Sequence, residues 1–188
     1  MDKKIILASA SPRRRELLGQ LGLTFSVQVS EIDETVLRDE LPEALVKRLA
    51  IEKAKAVFSF GTVVIAADTV VAIDDKILGK PQDDDEAVGM LRSLSGRSHH
   101  VYTGFCVYDG EKLVAETVAT EVVFAEMSDD EIARYVASGE PMDKAGAYGI
   151  QGGAARFVSE IRGDYYNVVG LPLCRLATVL KKDFLFDF

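Results

Sequence analysis

The sequence predicts an α/β fold, and three observations carry that expectation. An apolar strand from Lys4 to Ala8 runs into a helix start, where Ser11 suits the N-cap and Pro12 the first helical position. Strand-like and helix-like stretches then alternate: Thr24–Val29 alternates in polarity, and Pro42 to about Phe60 is apolar at helical spacing. The run Val63–Ile73 holds a single ionisable residue, the pattern of a central strand covered on both faces.

Composition narrows the function classes. A chain of 188 residues that is 48% apolar, with 15 Gly and 5 Pro, has ample core for one domain or two small lobes. A net charge of −8 leaves no broad basic face, so nucleic-acid binding is not expected, whereas a local basic pocket for a small anion is compatible with it. Cys106 and Cys174 offer neither a disulfide framework nor zinc spacing, which fits the reducing cytoplasm. The N-terminal apolar run is too short for a signal peptide, and no apolar run is long enough to span a membrane.

The first helix carries the first candidate site. Arg13, Arg14 and Arg15 stand in its opening turn, where the helix dipole favours carboxylates, so they point to a bound anion that supplies the negative charge. At about 100° per residue, Leu17, Leu18 and Leu21 form one stripe with Arg14 at its N-terminal end, so Arg14 and one neighbour are expected to turn inward. Gly22-Leu23-Thr24 ends this helix. After the next strand comes an acidic loop, Glu31-Ile32-Asp33-Glu34-Thr35, in the place where α/β proteins put binding loops.

The second helix places Leu45, Val46, Leu49, Ala50, Ala56, Val57 and Phe60 on one face, with Lys53 at its centre. Lys47, Arg48, Glu52 and Lys55 fall elsewhere, as solvated residues. A lysine in the middle of an apolar face is costly unless its ammonium is paired, so Lys53 is a candidate to meet an anion. Asp68, alone among the apolar residues of the following strand, is costly for the same reason and must meet a cation, a metal or hydrogen-bond donors.

Asp74-Asp75 then makes a turn, Lys76–Leu78 a short strand, and Gly79-Lys80-Pro81 a loop in which Lys80 also reads as ordinary surface. Asp83 or Asp84 caps a helix to about Leu94, closed by Gly96-Arg97. Val101–Tyr108 and Lys112–Phe124 read as a hairpin about Asp109-Gly110. Ser128 and Glu131 form a capping box for a helix to Ser138. The small-residue stretch Asp143–Gly153 permits close backbone approach. Arg156–Arg162 reads as a strand, Gly163–Asn167 as a turn, and Leu173–Lys182 as the last helix, before a tail, Phe184–Phe188, that docks on the body or on a partner.

The remaining chemistry is narrow. His99 and His100 are the only histidines, and about 20 Å of strand separates them from Cys106, which disfavours a Cys–His dyad. Neither a nucleophile elbow nor a Walker loop occurs. Four cations, Arg13, Arg14, Lys53 and Lys80, set against Glu34 and Asp68, suit a hydrolase or binder of a phosphorylated small molecule. The two carboxylates would hold Mg²⁺ or activate a water.

Several segments resemble the Maf family: Ser9-Ala10-Ser11-Pro12-Arg13-Arg14, Ala67-Asp68-Thr69-Val70, Gly79-Lys80-Pro81, Tyr102-Thr103-Gly104 and Asp143-Lys144-Ala145-Gly146-Ala147-Tyr148-Gly149-Ile150-Gln151-Gly152. The likeness runs in family order over nearly the whole chain. It implies an α/β fold with a long mixed β-sheet flanked by helices, similar to the inosine triphosphatase group, as one domain over residues 1–188 or as two lobes with the active-site cleft between them. It further implies a cytoplasmic homodimer that cleaves a nucleoside triphosphate to the monophosphate and pyrophosphate with a divalent cation, Mg²⁺ first and Mn²⁺ or Co²⁺ as alternatives. Asp68 corresponds to the general base, and Arg13, Arg14, Lys53 and Lys80, with Ser9 in the same turn, to the phosphate-binding set. Glu34 corresponds to the acidic-loop carboxylate that joins Asp68 on the metal, with Glu31 and Asp33 close by as alternatives.

Three positions associated with substrate choice read Arg13, Thr69 and Gln151, the combination of the branch acting on dTTP and UTP. A glutamine amide pairs with the O4 acceptor and N3–H donor of uracil or thymine, and an arginine adds donors to O4. Two other readings stand beside this one: a nucleotide-sensing regulator of septum formation that acts through a partner, and a pyrophosphatase for 7-methyl-GTP, whose branch has an aromatic residue in place of Arg13.

Overall fold

The computed structural model describes residues 4–188. Among them, β1 (Lys4–Leu7), β2 (Phe25–Val27), β3 (Thr62–Ile73), β4 (Lys76–Leu78), β5 (Ser98–Tyr108), β6 (Leu113–Phe124) and β7 (Val158–Arg162) form one sheet. Its order is β2-β1-β3-β5-β6-β7, with β4 paired to β3. The helices are α1 (Pro12–Gly19), α2 (Pro42–Val57), α3 (Asp84–Leu94), α4 (Asp129–Val136), α5 (Tyr165–Val169) and α6 (Leu173–Phe184). Parallel pairing of β1 with β2 and β3, and antiparallel pairing of β3 with β4 and β6 with β7, make the sheet mixed, as expected. Among the described residues, no helix is long and apolar enough to cross a membrane.

The chain divides into two compact units. The first comprises the residues up to Asp68, Thr103–Val118 and Gly170–Phe188. In it β1 lies between β2 and β3, with Ile5 opposite both Phe25 and Val63. Helix α2 packs on these strands through small side chains. Ala50, Ala54 and Val57 meet Ile6, Ala8, Val64, Ala66 and Cys106 in one buried cluster. The approach is closest at Gly104 of β5, where an added Cβ would lie 2.3 Å from the Val46 carbonyl oxygen. Burial pushes the Cys106 thiol up to about 12, so it is an inert core residue.

Helix α2 stops sooner than the sequence predicts. It ends at Val57, and Phe58 leaves in extended conformation with its ring 4.8 Å from that of Tyr108. Phe60, expected on the apolar face, is fully exposed, and Ala56 is exposed too. In α1, Ser11 caps as predicted, accepting from the Arg14 amide. Leu17 and Leu18 are buried but Leu21, beyond the helix end, only partly. The tail docks on its own unit at Phe184, which is buried, while Leu185 turns out to solvent.

The second unit comprises Thr69–Tyr102 and Ala119–Val169. Asp74 and Asp75, both at positive φ, make the tight turn between β3 and β4. The cap at Asp83 and the capping box at Ser128 and Glu131 form as predicted. Three expectations are corrected here. β5 begins at Ser98 rather than Val101, residues 153–157 form a 3-10 turn ahead of β7, and the segment expected as a turn contains helix α5. Helix α5 is nucleated by Asp164, whose carboxylate accepts from the amides of Tyr166 and Asn167.

His99 lies in the core of this unit, edge-on to Phe124, with Nε2 2.8 Å from the Tyr148 hydroxyl. Burial first, and then the nearby His100, push its pKa down to about 4 from 6.5. Above the ordinary value the imidazole is neutral in both folded and unfolded chains. As pH falls from 6.5 toward 4, the unfolded chain takes up a proton that the folded one refuses, so stability is lost across that window. The loss reaches at most about 3 kcal/mol. Urea unfolding at about pH 7 and about pH 4.5 should show this loss, and His99→Asn should reduce it. An equal loss in both chains would assign the acid sensitivity to other groups.

Candidate active site

The site is built around two buried charges in the first unit. Asp68 sits on β3 directly after Val63–Ala67, each 0% exposed, and is itself only 8% exposed. Such a carboxylate needs a cation, and Lys53 supplies it: Nζ lies 2.6 Å from Asp68 Oδ1. Lys53 is also 8% exposed, because the apolar face of α2 carries it onto the sheet. A second carboxylate shares the ammonium, with Glu34 Oε1 2.7 Å from Nζ. Unlike Asp68, Glu34 is more than half exposed and comes from the acidic loop. Breaking a buried pair of this kind by deleting one partner typically costs about 3–5 kcal/mol.

The start of α1 adds a second cation. Arg14 Nε donates to the Gly170 carbonyl at 2.8 Å and Nη1 to Ser9 Oγ at 3.3 Å. Ser9 Oγ also accepts from the Ser11 amide, so the turn, the arginine and the loop before α6 are tied together. Burial pulls the Arg14 pKa down; Asp68 opposes that most, Arg13 adds to it, and Glu34 opposes it. Arg13 is half-buried and Arg15 exposed, so Arg13 is the neighbour that turns inward. Beside them runs a groove lined by Ser9, Ser11, Pro12, Arg15, Phe25 and Val27. The structure thus brings together Ser9, Arg14, Glu34, Lys53 and Asp68. Glu31 and Asp33 are exposed, and Asp33 is engaged with Thr35, which leaves Glu34 as the loop carboxylate at the ammonium.

Thr69, Lys80 and Gln151 belong to the second unit. Thr69 is partly buried on β3. Lys80 is exposed in the loop after β4, next to Gly79, whose carbonyl accepts from the Gly146 amide at 3.0 Å. Gln151 is exposed in the turn Gly149–Gly153. Two residues that the sequence did not single out shape this turn. The Tyr135 hydroxyl donates to Glu140 Oε1 at 2.9 Å and accepts from the Gly149 amide, while Glu140 Oε2 accepts from the Gly153 amide at 2.9 Å. Any side chain at Gly152 would collide with the Glu140 carboxylate. Both ends of the turn that presents Gln151 are therefore fixed. The only sequence signal was the glycines, which require a close neighbour without naming it.

The donor set can be tested against a divalent cation. Asp68 and Glu34 offer only oxygen, the chemistry Mg²⁺ accepts, and both converge on one positive centre. Among the described residues, no group of three or more His, Cys, Asp or Glu could hold a metal. A divalent cation here would thus have two protein carboxylates, each with one oxygen on Lys53 Nζ and one left over, and would need its other ligands from elsewhere.

The family described as Maf-like protein matches residues 4–183. A dTTP/UTP pyrophosphatase of Bacillus cereus is 50% identical over 182 residues, covering 96% of this chain and 95% of that one. A dTTP/UTP pyrophosphatase of Symbiobacterium thermophilum is 52% identical over 182 residues, with 96% and 94% covered. A dTTP/UTP pyrophosphatase of Anaeromyxobacter dehalogenans is 52% identical over 186 residues, with 97% and 95% covered. Among solved structures, the Staphylococcus aureus Ham1 protein is 15% identical with a TM-score of 0.41, covering 64% of this chain and 72% of that one, too remote a likeness to carry a role for any residue.

Proposed function

The chain belongs to the Maf family, and on that premise we propose that it is a nucleoside triphosphate pyrophosphatase that hydrolyses dTTP and UTP to the monophosphate and pyrophosphate. Its role is house-cleaning, extending to modified pyrimidine nucleotides. The observation that carries the reading is the buried Asp68–Lys53 pair with the half-exposed Glu34 on the same ammonium, which sets a carboxylate able to accept a proton beside a cation able to meet phosphate.

Asp68 takes the proton of the water that attacks the α-phosphorus. Lys53, 2.6 Å from Asp68 Oδ1, orients that carboxylate and then stabilises charge on the phosphates. Arg14, fixed by Gly170 and Ser9, presents a guanidinium whose position is set before substrate arrives. Arg13 and Lys80 complete the charge balance for the leaving pyrophosphate. Thr69 and Gln151, with Arg13, select the base. Asp68 and Glu34 would hold a divalent cation, Mg²⁺ before Mn²⁺ or Co²⁺, which would supply Lewis-acid neutralisation of phosphate charge. A homodimer working in the cytoplasm belongs to the same proposal and is supported by the resemblance to the Maf family.

Product analysis with Mg²⁺ and dTTP, UTP, CTP, GTP and 7-methyl-GTP tests the proposal. Equal release of monophosphate and pyrophosphate from dTTP and UTP is expected. Preferential turnover of a purine would overturn the base assignment while keeping the reaction. Tight nucleotide binding without any turnover would instead favour a regulator that works through a partner.

A further inference from the structure

Of the apolar residues in the loop that carries Glu34, only Ile32 is even partly buried. Residues 28–41 form neither strand nor helix, and Val36, Leu37 and Leu41 are each 46–59% exposed. Hydrophobic burial of these side chains does not set its position. The sequence placed Arg48 among the solvated residues of α2, but its side chain is only 23% exposed. Its guanidinium forks onto Glu40, Nε to Oε1 at 2.7 Å and Nη2 to Oε2 at 2.8 Å. Nη2 also donates to the Thr35 carbonyl at 3.0 Å, and Nη1 reaches Glu52 one turn along the helix. Glu40, whose side chain is only 8% exposed, accepts in addition from the Leu37 amide at 2.9 Å. One arginine therefore ties the loop to α2 at Thr35 and, through Glu40, at Leu37. Thr35 is the neighbour of Glu34, and Lys53 lies further along the same helix.

We propose that Arg48 is a positioning residue: its fork onto Glu40 and its bond to Thr35 hold the 31–40 loop against α2, so that Glu34 stays at Lys53 and completes the cation-binding pair. The proposal rests on the reading of Glu34 and Asp68 as cation ligands given above. Arginine is required rather than lysine, because only a planar fork bonds two carboxylate oxygens and a carbonyl at once. The arrangement acts through Glu34 and touches no substrate.

Two measurements on the full chain test it. Hydrogen exchange of residues 31–37 reads the loop without metal or substrate. The Mg²⁺ dependence of pyrophosphate release from UTP reads the carboxylate pair. In Arg48→Met, exchange in the loop should rise about tenfold while that of β3 stays protected. The half-saturating Mg²⁺ concentration should rise about tenfold, with a smaller change in turnover at saturating Mg²⁺. Arg48→Lys should behave like Arg48→Met, and Glu40→Gln, which keeps the partner's size, should reproduce both effects if the arginine variants fold poorly. Glu34→Gln should shift the Mg²⁺ dependence without loosening the loop. An unchanged loop, or a loosened loop with unchanged Mg²⁺ dependence, overturns the role of Arg48 when Glu34→Gln does shift that dependence. If Glu34→Gln shifts nothing, the ligand reading of Glu34 falls, and this proposal with it.

Discussion

Asp68→Asn is expected to lower turnover of UTP about a thousandfold while leaving the melting temperature close to that of the parent chain. The factor is that of losing a general base. The fold should survive because asparagine keeps an oxygen that can accept from Lys53 Nζ, and Lys53 retains Glu34 at 2.7 Å. The ammonium is thus never left alone in the core. Asp68→Leu differs, because it offers Lys53 no acceptor on the strand and leaves only the half-exposed Glu34, so it should cost more stability than Asp68→Asn, about 1–3 kcal/mol. Pyrophosphate release and thermal melting of the two variants separate chemistry from architecture. Turnover within about tenfold of the parent in Asp68→Asn would remove Asp68 as the proton acceptor.

Gly104→Ala should be the most destructive single methyl in the first unit. The added carbon would sit 2.3 Å from the Val46 carbonyl oxygen and 2.6 Å from the Lys47 amide nitrogen. Both are backbone atoms, so no side-chain rotation relieves the clash, and β5 and α2 must part. Overpacking of this kind costs about 3 kcal/mol, and more where backbone must move. Urea unfolding should show that loss. Because α2 also carries Lys53, any chain that folds should lose activity beyond its loss of stability. A variant with parental stability would show that the two elements are held less tightly than their geometry implies.

The residues that could be read from sequence are those whose type conflicts with their place. Lys53 on an apolar face and Asp68 in an apolar strand each require a partner, and the structure pairs them with each other. Local rules also held: Ser11, Asp83 and Ser128 cap their helices through contacts within three residues. Asp164 follows the same rule, its carboxylate accepting from the Tyr166 and Asn167 amides. What could not be read depends on contacts distant in sequence. Helix α2 ends where the Phe58 ring finds Tyr108, fifty residues on. Arg48 looked solvated because Glu40 and Thr35, which engage it, lie eight and thirteen residues before it, ahead of the helix, with no helical spacing to mark them. Glu140 similarly reads as a surface acid until the Gly149–Gly153 turn folds back on it.

Phe60 is wholly bare in the link between α2 and β3. Opening the chain there would put Arg14, Glu34 and Lys53 on one polypeptide and Asp68 on the other. Neither piece would own the ion pair, and the cluster of Ala50, Ala54 and Val57 with Val64, Ala66 and Cys106 would have to be assembled from both. Catalysis by the two pieces would then be a complementation signal, appearing only when they meet and in proportion to how completely the shared interior is rebuilt.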